Sequence, residues 1–260
     1  MTQDIMGQDL QGKAVIITGA STGIGAAAAK GFAALGARLA IHYNKSRDEA
    51  EAVADAIRAD GGEVHVFQAD LTTQPQAAKD VVEAAAAKLG GVDVLINNAG
   101  SLLTRTLFMD FDDGLYDDVM NLNLRSVIIA TQAAVPHMQK RGGGSIINLG
   151  SIAGNNGGGL GSGMYSAAKA AVHNLTRHMA TDLAKHNIRA NAIAPGVITT
   201  PFHEKTPPER MQAMLNAIPM GRHGVAEDCV GPLVFFASQS LSGYVTGQIL
   251  HVNGGQFYAG

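Results

Sequence analysis

Seven short apolar runs rich in branched side chains recur along this 260-residue chain, and between them lie stretches of helical composition with no linker-like break until late in the sequence. The first run, Lys13-Ala14-Val15-Ile16-Ile17-Thr18, has no polar alternation, the form a strand takes when helices cover both faces of a parallel sheet. An Ala-rich stretch from Ile24 to Leu35 follows, stopped by Gly36, and Arg38 to Tyr43 is the second strand. Helices are expected over 48–59 and 75–89, with strands over 63–69 and 92–96. Beyond Asn98 come a helical region ending near His137, a strand over 145–149, a helix from about Gly163 to Lys185, a strand over 189–194 and a last strand over 248–252. This alternation predicts a parallel sheet in one α/β domain over 11–260, behind an N-terminal extension of residues 1–10. Pro195, Pro201, Pro207, Pro208 and Pro219 interrupt the pattern, so a long excursion around 197–223 is expected as a substrate lid.

Composition narrows the function. Nineteen basic against 22 acidic residues give a net charge of −3, and the longest basic cluster is Lys140-Arg141, so nucleic-acid binding has no electrostatic footprint. The single cysteine, Cys229, can neither close an internal disulfide nor build a thiolate zinc site, which points to a reducing compartment. No apolar run reaches the roughly 18 residues of a membrane span, and the first dozen residues lack a signal-peptide core. No membrane association is expected, and a cytoplasmic location is.

The first strand runs into Thr18-Gly19-Ala20-Ser21-Thr22-Gly23-Ile24-Gly25, which lies where a pyrophosphate can sit on a helix N-terminus with backbone N–H groups aimed at it. Its spacing, Gly-x3-Gly-x-Gly, differs from G-x-G-x-x-G, and alone it could be only a Gly-rich turn. The chain also carries Asn97-Asn98-Ala99-Gly100 after the fourth strand, Ser151 after the fifth, Tyr165-x3-Lys169, and Pro195-Gly196 after the sixth. With these motifs in this order it resembles the short-chain dehydrogenase/reductase family, from about Gln11 to Val252-Asn253-Gly254-Gly255. The resemblance implies a Rossmann-type doubly wound sheet of about seven strands with helices on both faces, and a nicotinamide dinucleotide across the carboxyl ends of the strands. It further implies cofactor contacts from Gly19, Ser21, Thr22, Gly23, Ile24, Gly25, Asp70, Leu71, Asn98, Ala99, Gly100, Pro195, Gly196, Ile198 and Thr200, and from Tyr165 and Lys169.

The end of the second strand bears on the choice of dinucleotide, since a carboxylate there accepts from a ribose 2′-hydroxyl but repels a 2′-phosphate. Tyr43 stands at that position, followed by Asn44, Lys45, Ser46 and Arg47, with two cations among them. NADP is therefore expected, with NAD possible. Lys45 and Arg47 also read as ordinary solvated charges, and Asp70 as an N-cap.

Tyr165 and Lys169, four apart in a helical stretch, share one face. An ammonium near a phenol favours the phenolate and brings it towards acid–base work at neutral pH. By the resemblance, Ser151 holds the substrate oxygen, Lys169 also bonds the nicotinamide ribose, and Asn123 is the fourth catalytic member. Taken singly, Ser151 could cap a turn, Asn123 could be a satisfied buried amide, and Tyr-x3-Lys could be chance. No metal is expected: there is no H-E-x-x-H, and His173 and His178 are badly spaced for one helix face. No G-x-S-x-G elbow suggests a hydrolase.

Substrate should meet residues 150–163 and the lid. Asn155, Asn156, Thr199, Thr200, Phe202 and His203 suit a hydroxylated small-molecule carbonyl or alcohol better than a broad apolar one. The chain is similar to bacterial sugar or polyol dehydrogenases, and alternatively to 3-oxoacyl-[acyl-carrier-protein] reductases. A non-catalytic dinucleotide-binding regulator is the alternative of another class. The apolar stripe of the 163–185 helix, with the family resemblance, implies a homotetramer.

Overall fold

The computed structural model describes residues 7–204 and 206–258. Its first strand, β1 (Ala14–Ile17), is buried at every position and feeds α1 (Gly23–Ala34) through the glycine-rich turn. β2 (Arg38–Tyr43), α2 (Arg47–Ala59), β3 (Val64–Gln68), α3 (Ala77–Leu89) and β4 (Val94–Asn97) continue the alternation. Next, α4 (Asp113–Met120) runs through a π-helical turn, Asn121–Arg125, into α5 (Ser126–Lys140). β5 (Gly144–Leu149), α6 (Ala153–Asn156), α7 (Gly163–Leu183) and β6 (Ile188–Pro195) follow, then α8 (Pro208–Asn216), α9 (Val230–Ala237), α10 (Gln239–Ser242) and β7 (Ile249–Val252).

The seven strands form one sheet in the order β3-β2-β1-β4-β5-β6-β7, and every pairing is parallel. Strand side chains alternate between faces. Ala14 and Ile16 of β1 therefore join Leu95, Ile146, Val82 and Ala134 in the core against α3 and α5. Val15 and Ile17 join Phe32, Ile57, Leu233 and Phe236 in the core against α1, α2 and α9. The run without polar alternation is thus explained by two apolar layers, one on each side. The described residues make a single Rossmann-type domain.

At the N-terminal edge of the sheet Asp93 ties β1 to β4. Its carboxylate accepts from the Ala14 N–H at 2.8 Å and from Arg141 at 2.7 and 3.2 Å, with Lys13 Nζ 3.8 Å away.

Two parts differ from the sequence expectation. α9 falls in a stretch to which the sequence reading assigns no element; it packs Leu233 and Phe236 fully into the core, and Gly31 of α1 leaves the room Val230 occupies. Residues 7–10, expected in the extension, pack on the domain: Leu10 is buried, and Asp9 accepts from Ser238 Oγ and from the Gln239 and Ser240 N–H groups. Residues 1–6 lie outside the described residues.

Candidate active site

Strand order reverses at β1, which has β2 on one side and β4 on the other, and connections leave in opposite directions there. A crevice opens at the carboxyl ends of the strands at such a switch point. The cleft found there encloses about 1010 Å³.

One wall is the glycine-rich turn. Gly19 takes φ +65°, and a Cβ there would lie 2.8 Å from Ala99 Cα, so the turn can press this close to the β4 end only as glycine. Asn98 staples the two together. Its Nδ2 donates to Thr18 O at 2.9 Å and Gly19 O at 2.7 Å, while Thr18 Oγ1 accepts from the Asn98 and Ala99 N–H groups at 3.0 Å each. Buried His42 braces the turn from below: its Nδ1 accepts from the Gly19 N–H at 3.1 Å, and its Nε2 bonds Ala69 O at 3.0 Å. Burial depresses its pKa below the usual histidine value, keeping the ring neutral and able to accept. α1 begins at Gly23 with no side-chain cap and no acidic residue in its first turn, so its leading N–H groups are free to receive an anion. These residues fit the pyrophosphate of a dinucleotide.

At the far end Asn44, Lys45, Ser46, Asp70 and Leu71 line the cleft. Asp70 is held by Asn44 Nδ2, the Thr72 and Thr73 N–H groups and the Thr73 hydroxyl, which together outweigh burial and lower its pKa. Three expected cofactor contacts do not line the cleft. Tyr43 is buried out of it, because alternation along β2 turns His42 and Asn44 to the cleft instead. Arg47 is the first residue of α2 and exposed. Gly25 lies in α1 against Gly19 O, Asn98 Nδ2 and Ala20 Cα, so it serves helix packing. Gly19, Ser21, Thr22, Gly23, Ile24, Asn98, Ala99, Gly100, Pro195, Gly196, Ile198 and Thr200 all line it.

α7 brings Tyr165 and Lys169 to the cleft wall one turn apart, facing Ser151 from the end of β5. Ser151 lies near enough to the Tyr165 hydroxyl to draw its pKa down. Lys169 is buried, its Nζ donates to Leu149 O at 2.7 Å, and it sits 5.7 Å from the Tyr165 ring centroid. Burial pushes the phenol up to about 12, opposed by Ser151, and pulls the amine down to about 8. The expectation that Lys169 dominates the phenol is corrected in this respect: desolvation is the larger influence on both. Asn123 does not reach the cleft surface. Carried by the π turn and fully buried, it donates to Ser101 O at 2.8 Å and Val119 O at 2.9 Å and accepts from the Ser101 N–H at 3.1 Å. A Cβ on Gly100 would lie 2.8 Å from its Oδ1 and 3.0 Å from Lys169 Nζ, so Asn123 and Lys169 flank one glycine.

His173, one turn beyond Lys169, is a residue that sequence reasoning weighed only as a metal ligand. It is buried, and its Nε2 accepts from the Ser151 N–H at 3.3 Å. The signal was available, since 165, 169 and 173 repeat every four residues on one helix face.

Residues 13–211 match the family model described as short chain dehydrogenase. The chain belongs to that family. This short-chain dehydrogenase is 40% identical over 247 residues to the 3-oxoacyl-[acyl-carrier-protein] reductase FabG of Thermotoga maritima, with 95% of this chain and 98% of that protein covered. It is 39% identical over 251 residues to the L-rhamnose 1-dehydrogenase (NAD(P)(+)) of a Sphingomonas species, covering 95% and 97%. Among solved structures, NADH-dependent reductase A1-R′ complexed with NAD superposes with a TM-score of 0.87 at 39% identity, covering 98% of this chain and all of the other. The protein is thus an NAD(P)-dependent oxidoreductase of carbonyl or CH–OH groups.

In this dehydrogenase part of the 197–223 excursion lines the cleft. Ile198 bridges to Gly224, a short 3₁₀ turn spans Pro201–His203, and α8 brings Arg210 and Met214 to the cleft. Lys205 lies outside the described residues. Phe202 packs on Tyr165 with ring centroids 5.7 Å apart, and on His203 at 5.1 Å. Among the described residues no group of three or more His, Cys, Asp or Glu could hold a metal, and no helix is long and apolar enough to cross a membrane.

Proposed function

We propose that this enzyme interconverts a secondary alcohol and a carbonyl on a sugar or polyol, using NADP, with Tyr165 as the general acid and base. The observation that carries the reading is that Tyr165, Ser151 and Lys169 line one cleft wall, with the Lys169 amine 5.7 Å from the Tyr165 ring centroid. A bound nicotinamide supplies the hydride acceptor or donor. Ser151 holds the substrate oxygen, and Tyr165 passes a proton to it on reduction or takes one on oxidation. Lys169 replenishes the positive potential behind the phenol, and Asn123 keeps the Ser101 loop and Gly100 packed against that amine.

Support for NADP is the cleft wall at the β2 end, where Asn44, Lys45 and Ser46 stand and the nearest lining carboxylate, Asp70, is already engaged by four bonds. Support for a hydroxylated substrate is the polar lining that Ser151, Asn156 and Ser162 bring to the cleft, where Phe202 packs on Tyr165. The 197–223 excursion acts as the lid. The buried free thiol of Cys229 suits the cytoplasm, and exposed Ala167 and Ala170 on α7 suit a homotetramer interface, which light scattering would measure.

The test is oxidation of NADPH and NADH, and reduction of NADP⁺ and NAD⁺, against ketoses, polyols and 3-oxoacyl thioesters, with Tyr165→Phe beside wild type. We expect turnover of sugars with NADP favoured, and a loss of about 10²- to 10⁴-fold in kcat for the variant at unchanged cofactor affinity. Turnover confined to 3-oxoacyl thioesters overturns the sugar reading. Cofactor binding without turnover of any substrate favours a dinucleotide-binding regulator.

A further inference from the structure

On the substrate side of the cleft, three segments distant in sequence meet at one carbonyl. Arg105, from the loop after β4, donates through Nη1 to Leu160 O at 3.2 Å, and Arg210, from α8, donates through Nη2 to the same oxygen at 3.2 Å. Two guanidiniums sharing one acceptor are neighbours. The seating is specific: a Cβ on Gly159 would lie 2.5 Å from Arg210 Nη2, and one on Gly161 would lie 3.1 Å from Arg105 Cβ. Thr106 N–H to Gly161 O, 3.1 Å, locks the two loops side by side.

Both arginines line the cleft and are half-buried. Among the described residues neither has a carboxylate within ion-pair distance. Burial, and then the charge of Arg210, depress the Arg105 guanidinium, with no carboxylate contributing. Their neighbour His203 is itself held below the usual histidine value by burial, then by Arg105, His223 and Arg210, so the two positive charges are those of the arginines. The lining carboxylates lie elsewhere, Asp70 at the β3 end and Asp118 on α4. Like charges brought together without a counter-charge cost stability, and a cleft that retains such a pair is built for an anion.

We propose that Arg105 and Arg210 form a carboxylate-binding subsite, and that the substrate is a sugar acid whose reacting carbon sits at Tyr165 and Ser151. The inference rests on the sugar reading above and extends it. Phe202 packs on both Tyr165 and His203, and His203 feels the charge of both arginines, so the arginines and the reacting centre belong to one cleft. Planar guanidinium forks match a planar carboxylate and bind it more strongly than neutral hydroxyls.

The experiment compares D-gluconate, D-glucitol and D-glucitol 6-phosphate as substrates with NADP⁺, in wild type and in Arg105→Gln, Arg210→Gln, Arg105→Lys and Arg210→Lys. Calorimetric binding of the same three to enzyme loaded with NADPH gives a readout that needs no turnover. We expect kcat/KM for gluconate to exceed that for glucitol by about tenfold or more, and the Gln variants to cut that preference by about tenfold. The Lys variants should restore part of it, and the preference should shrink with added salt. Equal handling of gluconate and glucitol, a preference for the phosphate ester, or a preference untouched in the Gln variants overturns the subsite, even if sugars are turned over. Arginine-dependent gluconate binding without turnover of any sugar upholds the subsite and rejects the sugar-dehydrogenase reading.

Discussion

His173 Nε2 accepts a hydrogen bond from the Ser151 backbone N–H at 3.3 Å, so the serine that shares the cleft wall with Tyr165 is itself positioned from α7, one turn past Lys169. Glycines at 150 and 154 leave the space for the imidazole, since a Cβ on Gly150 would overlap Nε2. Burial, with smaller contributions from His251, Lys169 and Arg177, pulls His173 down to about 4, so the ring stays a neutral acceptor through the working range. His173→Leu should lower kcat by about tenfold with little change in cofactor affinity, measured by steady-state kinetics and fluorescence titration. The folded pKa lies below the ordinary 6.5, so the unfolded chain binds the extra proton first. Stability from this group is complete above pH 6.5 and lost as pH falls from there towards 4. Urea midpoints across that window should fall less steeply in His173→Leu than in wild type.

His42 gives a second, separable effect. Its Nδ1 can accept from the Gly19 N–H only while unprotonated, and burial keeps its pKa below the usual value. His42→Leu removes both of its bonds and should weaken dinucleotide binding by about tenfold, roughly one buried hydrogen bond. His42→Asn, which can place an oxygen near the Nδ1 position, should recover part of it. Equal affinities in wild type and His42→Leu would show that the turn needs no brace.

Gly25 is a packing residue in this structure. A methyl group there would lie 2.5 Å from Asn98 Nδ2 and also strike Gly19 O, forcing apart a bond of 2.7 Å. Gly25→Ala should destabilise the fold by about 1–3 kcal/mol and weaken cofactor binding through the displaced turn. Thermal denaturation with and without NADPH reads both effects.

Asp93 governs acid stability at the opposite end of the sheet. Burial raises its pKa, but the Arg141 and Ala14 N–H bonds and the charges of Arg141 and Lys13 more than offset that, and the net direction is down. Its stabilisation is therefore present above pH 3.8 and lost as pH falls through the lower folded value. Asp93→Ala leaves the Ala14 N–H and Arg141 without their partner and should cost about 2–4 kcal/mol at pH 7, read from urea unfolding. The variant should also show a flatter acid limb than wild type.

Much of this was legible in the chain because it is local. A short run of branched side chains without polar alternation reports the environment of a strand covered on both faces, and Tyr165, Lys169 and the glycine-rich turn belong to single segments whose spacing the backbone alone dictates. α9 was not read from the sequence; its Leu233, Phe236 and Ala237 are buried in the layer against α1 and α2, a tertiary contact that its eight residues do not announce. Tyr43 was misassigned for a related reason: the end of a strand can be located from sequence, but which of two successive side chains faces a cleft depends on how the strand enters the sheet.

The sequence by itself determined the alternating elements and the parallel sheet, which follow from patterns within a dozen residues, while the doubly wound order and the chemical types at the cleft came with the family resemblance of its motifs. Tertiary structure decided the rest: His42 under Gly19, His173 behind Ser151, Asn123 clasping Ser101, and two arginines 105 positions apart meeting at Leu160 O. Those pairs join segments brought together by sheet register and loop closure. Their distances are set by packing of the whole domain, which no local pattern encodes.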